Sequence, residues 1–80
     1  MKLIRTIDNY INDKKFSMIY KDNYLDIINY TKIDNFSSSN IVVSHYNDKY
    51  SIEGYNLVIS KMMEEEILVV GDIKTITFIR

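Results

Sequence analysis

The side chains that most often carry chemistry are few in this sequence, and they do not converge. His45, in "VVSHYND", is the single histidine, and there is no cysteine to pair with it. A nucleophile–base pair or a transition-metal site needs several such groups at one point. A lone histidine at the end of a β-rich run is expected instead as a surface or hairpin residue. Asp and Glu together number 11, but no spacing sets them up as an acid–base or metal-binding constellation. The run "EEE" at 64–66 carries enough charge to attract a cation. Its place between apolar stretches reads as a solvated turn, whose charges guard the following strand against edge-to-edge aggregation.

Gly54 and Gly71 are the chain's two glycines, and neither belongs to a phosphate-binding loop. There is no G-x-x-x-x-G-K-[ST] and no G-x-G-x-x-G. The seven tyrosines raise the alternative of a small nucleic-acid-binding β-barrel that stacks bases on aromatic rings. Such a platform works beside a basic groove, whereas this chain has a net charge of -1 with acids and bases interspersed. Phosphate binding concentrates Lys and Arg into a patch, so nucleic acid is not the expected partner. The tyrosines read as cross-strand and core packing. Met62 and Met63 offer either an adaptable apolar contact or a filler for a core gap. The chemistry predicts no enzyme, no metal site and no cofactor.

The elements that must position these residues follow from pattern. A chain of 80 residues makes one domain with a small core, near the lower limit for unaided folding. Sharing a core with a partner is therefore an expectation from the outset. Absence of cysteine favours a reducing compartment, and the N-terminal "MKLIRTIDNYI" is a poor signal peptide. The longest apolar run, "ILVVG", is far below the roughly 20 residues that span a bilayer. A cytoplasmic protein without a transmembrane segment is expected.

Residues 1–14 place Leu3, Ile4, Ile7, Tyr10 and Ile11 at helical spacing, which predicts a short amphipathic helix. From residue 15 the chain reads as a single β-domain to residue 80. "FSMIY", "YLDIINY", "KIDNF", "NIVVSHY", "YSIEGYNLVIS" and "EILVVGDIKTITFI" are rich in β-branched and aromatic residues. The breaks "KDN", "SSS", "NDK" and "SKMMEE" separate them, with "NDK" at 47–49 as the clearest hairpin turn. Short strands at this spacing predict a small antiparallel β-sandwich or a partly open barrel.

The glycine segments form a weak internal repeat. With Gly54 set over Gly71, Tyr50 falls over Ile67, Ile52 over Val69 and Ile59 over Ile76. The positions before each glycine share one strand face, and the odd spacing after it reverses the phase. Each glycine therefore reads as the bend where a long strand changes face.

The order of these residues resembles the YabP/YqfC family of sporulation proteins from endospore-forming bacteria, and its YqfC branch in particular. The resemblance is carried by Ile52, Gly54, Leu57 and Ile59, then Glu65 and Glu66, then Ile67, Leu68, Val69, Gly71, Ile73, Ile76 and Phe78. Upstream, Met18, Ile19, Ile27, Asn29, Ile33, Phe36 and Ser37 fit it more weakly. Tyr20 and Lys32 stand where the family pattern has glycine, which implies altered turn geometry there. The resemblance implies a non-enzymatic structural or adaptor protein in the mother cell, serving engulfment, the forespore surface or spore-coat assembly. It implies no catalytic residue and no cofactor. It also implies a protein partner, a sporulation membrane protein encoded nearby, and a site at the forespore membrane. Exposed strand edges, "TITFIR" or "FSMIY", are the expected means of pairing with that partner or with another copy.

Overall fold

A computed structural model of the chain describes residues 15–79. The helix expected over residues 1–14 lies outside the described residues. Six strands follow in order: β1 (Ser17–Lys21), β2 (Tyr24–Ile28), β3 (Lys32–Phe36), β4 (Asn40–His45), β5 (Asp48–Met63) and β6 (Glu66–Ile79). All neighbours run antiparallel in one sheet, with the order β1-β2-β6-β5-β4-β3. The mainly β, antiparallel architecture is the one read from the strand pattern. The sandwich and barrel alternatives give way to one open sheet. Strands β5 and β6 run through its whole length, so the ladder never divides in two. Among the described residues, β1 and β3 each keep an unpaired side, so the sheet does not close.

The long β5–β6 hairpin serves two wings. Of the hairpin, β2 pairs with Glu66–Val70 of β6 alone, and β4 with Asp48–Glu53 of β5 alone. One wing is thus β1, β2 and the near ends of the hairpin around its turn. The other is β3, β4 and the far ends. Alternation puts apolar side chains on the inner face of each wing. Leu25, Ile27, Ile67 and Val69 from the first wing join Ile41, Val43 and Ile52 from the second, all fully buried. Leu57, between the wings, completes this single core.

The bend between the wings is built at the glycines. Asn56 takes a left-handed backbone (φ 54), and the β5–β6 register shifts between Tyr55 and Val58. Asn tolerates that conformation because its short side chain bonds locally. Gly71 lies opposite this bulge with φ +141, a region open only to glycine. A second shift falls between Glu53 and Gly54, where Lys74 is the extra residue on β6. These two bulges are the phase reversals read from the repeat. Leu57 turns inward after Ile52, and Ile76 after Ile73. The freed backbone groups are satisfied by the two small hairpins. Gly54 and Leu57 N–H donate to the Ser39 and Ser38 carbonyls, and Gly71 N–H donates to the Asn23 carbonyl.

Three local expectations are corrected. The β4–β5 turn is Tyr46–Asn47, with Tyr46 at φ 57, so Asp48 and Lys49 of "NDK" already belong to β5. Burial of Tyr50 and Ile52 extends the pairing down to His45↔Asp48. Within "SKMMEE", Ser60–Met63 continue β5, because Met62 and Met63 pair with Ile67 and Glu66. Only Glu64 and Glu65 make the turn. Tyr20 and Lys32 do not sit in turns: Tyr20 pairs with Leu25 inside β1 and Lys32 begins β3.

Candidate interaction surface

The edges of the two wings differ in how they are protected. Strand β1 is five residues long and carries Lys21. Strand β3 carries Lys32 and Asp34 and a register shift between Ile33 and Asn35. The last part of β5 has Lys61 and a shift between Ile59 and Lys61. Short length, inward or edge charge and bulges are the devices that blunt an unpaired ladder. Beyond Lys74, β6 carries neither a charge nor a bulge. Among the described residues, Thr75–Ile79 are exposed, uncharged and paired on one side only.

This stretch is apolar on the core side. Ile76 lies opposite the buried Ile52, and Phe78 opposite Tyr50. Phe78 is 73% exposed and meets the Tyr50 ring edge-on at 5.3 Å. Tyr50 stacks in turn on Phe16 at 4.3 Å, and Phe16 packs against His45. The lone histidine is thus part of an aromatic wall at the end of β4. Beside the same edge, Tyr20, Ile73, Lys74, Thr75 and Ile76 line an open groove of about 330 Å³.

The outer face of the first wing holds a feature that sequence reasoning missed. Asp26 on β2 and Glu66 on β6 approach one another amid Ile19, Leu68 and Met63. Asp26 Oδ1 is buried without a hydrogen-bond partner among the described residues. A protonated Glu66 donates to the Asp26 carboxylate. The hydrogen bond to Asp26 pushes the Glu66 pKa above the usual glutamate range, with burial and the Asp26 charge acting the same way and Lys61 opposing. Conversely, the Ser44 hydroxyl donates to Asp34 and, with Lys49 and Lys32, lowers the Asp34 pKa. The pH dependence follows by sign. Asp34 contributes stability above the ordinary aspartate range, and it is lost as pH falls through the lowered pKa. Glu66 contributes stability below the ordinary glutamate range, and it is lost as pH rises through the raised one. Asp26→Asn, whose amide donates to an ionised Glu66, should therefore raise the melting temperature at neutral pH and flatten the upper limb of the profile. An unchanged upper limb in thermal melts across pH would contradict the pairing.

The family-pattern residues separate into two sets. Ile52, Leu57, Ile67 and Val69 are buried, Ile59 and Ile73 pack against them, and Gly54 and Gly71 form the bend. Ile76 and Phe78 instead lie on the open edge. No group of three or more His, Cys, Asp or Glu side chains that could hold a metal occurs among the described residues. Among them, too, no helix is long and apolar enough to cross a membrane. Lys32 and Lys74 each pair with a carboxylate, Asp34 at 3.7 Å and Asp72 at 3.3 Å.

No curated protein and no solved structure is significantly similar. The model of the YabP family matches residues 12–80, which takes in every strand and both glycine bends. The chain belongs to the YabP family.

Proposed function

We propose that this protein is a non-enzymatic structural or adaptor component of endospore formation that works through protein–protein contacts. The match to a sporulation-associated family over residues 12–80 carries the reading. The finer assignment follows the resemblance to the YqfC branch. The chain acts in the mother cell, in engulfment, forespore-surface or spore-coat morphogenesis, and its partner is a membrane protein encoded nearby. It works at the forespore membrane as a peripheral protein.

The physical means is the open β6 edge. Main-chain groups of Thr75–Ile79 supply affinity for an added strand, and side chains on alternate faces supply selectivity. The core, with eight buried apolar side chains among the described residues, gains from such an addition, because small domains bury too little surface to be secure alone.

Deleting the gene from its spore-forming host should lower the yield of heat-resistant spores by orders of magnitude without slowing vegetative growth. Thr77→Lys, which puts a charge on the edge and leaves the core untouched, should reproduce that loss at normal protein level. Normal spore yield in the deletion strain would overturn the reading.

A further inference from the structure

We propose that residues 1–14 cover the outer face of the first wing as a helix, laying the apolar stripe of Leu3, Ile4, Ile7, Tyr10 and Ile11 across it. The outer faces of the two wings differ in kind. On the second wing, Asn40 of β4 bonds to Ser51 of β5, Ser44 to Asp34 of β3, and Thr75 of β6 to Glu53. That face suits water. On the first wing the same side carries Ile19, Tyr24, Val58, Met63, Leu68 and Val70. Ile19, Val58 and Met63 are 44%, 54% and 49% exposed. The inner side of this wing is already core, so "YLDII" of β2 and "EILVV" of β6 are apolar on both faces. An antiparallel strand with one wet face alternates apolar with polar residues, whereas a near-continuous apolar run belongs to a sheet covered on both sides. Among the described residues no element packs on this outer face.

The chain joins the sheet at a corner of this face. Ser17 pairs with Ile28, whose other neighbour is Glu66, and Asn29 Nδ2 donates to the Lys15 carbonyl at 2.6 Å. Phe16 turns its ring inward onto Tyr50, so Lys15 and Phe16 are the whole link between the segment and β1. Connections this short are common between a helix and a neighbouring strand. Residues 1–14 span about 21 Å as a helix, against roughly 17 Å for a strand of the length of β2.

Charge selects the occupant. Asp26 and Glu66 stand within the apolar patch, and Asp26 Oδ1 is buried and unpartnered among the described residues. The pair keeps one negative charge even when Glu66 is protonated. A second copy docked face to face about this centre would set the same carboxyls against them, and an anionic lipid surface would be repelled as well. Residues 1–14 instead bring a cation. Lys14 follows Ile11 by three positions and Ile7 by seven, which places it on the apolar stripe. Being next to the link, it comes over the Glu66 corner, and its methylene stem suits the apolar surround.

Amide hydrogen exchange on the full-length protein tests this. Residues 3–14 should exchange at least about ten-fold more slowly than an unstructured chain, because a docked segment must open before it exchanges. Val58→Asp and Ile7→Asp, one on each surface, should each remove that protection while circular dichroism and the exchange of β4 stay unchanged. Neither site is in the described core, so the sheet is expected to survive both. Lys14→Glu should weaken the protection and Lys14→Arg should keep it. Ile76→Asp, in the groove beside the β6 edge, should leave it unaltered. Exchange of residues 3–14 at the rate of an unstructured chain would overturn the proposal. So would protection lost in Ile76→Asp but kept in Val58→Asp, which would move the segment to the groove. Full protection in Lys14→Glu would remove the charge pairing on which the choice of occupant rests. Unprotected residues 3–14 in a dimer that Val58→Asp dissociates would give the face to a second copy instead.

Discussion

Gly71→Val unfolds this domain at temperatures where the unmodified protein is stable. The backbone at Gly71 has φ +141, and a Cβ there would stand 2.6 Å from the Asn56 carbonyl oxygen and 3.0 Å from the Leu57 Cα. Both obstacles are main chain, fixed by the Asn56 bulge, so no rotamer change relieves them. Forbidden backbone and overlap together cost about 3 kcal/mol or more. For a domain of this size that lowers the melting temperature by about 12–24 °C. Gly54→Ala should behave similarly for a different reason. Gly54 has no positive φ to protect, but its Cβ would collide with the Asp72 carbonyl oxygen. Scanning calorimetry checks both, and a Gly71→Val melting temperature within a few degrees of the unmodified protein would contradict the bend.

Leu57→Ala should have the second-largest effect. Leu57 is 2% exposed and stands where the ladder is interrupted, so no neighbouring strand can close over the space it leaves. Truncating a buried leucine costs about 2–5 kcal/mol, more where surrounding atoms cannot collapse. The adjacent Val58 is 54% exposed on the outer face, and Val58→Ala should stay within about 0.5 kcal/mol. Chemical denaturation of the pair separates burial from strand propensity, because both lose a branched side chain one position apart. Comparable losses at the two positions would mean that Leu57 is not the plug between the wings.

Much of this architecture was legible because it is written in local pattern. The six strands follow from β-branched and aromatic runs. The reversal of phase after Gly54 and Gly71 was visible in the spacing from Ile52 to Ile59 and from Val69 to Ile76. What stayed hidden depends on partners distant in sequence. Nothing local says that Ser38, Ser39 and Asn23 carbonyls receive the bend's N–H groups, or that Asp26 meets Glu66. The continuation of β5 through Met63 was missed because Ser60 and Lys61 look like a break. Their pairing is decided by Ile67 and Leu68 on the facing strand. Asn56 carried a readable signal, since Asn is among the few residues that accept a left-handed backbone, but Gly54 drew attention to the wrong side of the bulge. For the candidate surface, "TITFIR" was recognisable as an edge sequence. The groove beside it was not, because Tyr20 reaches it from another wing.

The division of the long hairpin between two wings also sets the order in which the protein becomes itself. Strand β2 pairs on one side with β1 and on the other only with Glu66–Val70, so on the ribosome the first hairpin waits for almost the last residues of the domain. Until they emerge, Leu25 and Ile27 have no strand to complete their side of the core. Such long-range closure slows folding relative to locally paired topologies. Nascent chains halted before Glu66 would expose an unsatisfied apolar face. A cell making this protein quickly would then depend on chaperone occupancy during that interval rather than on any property of the finished fold.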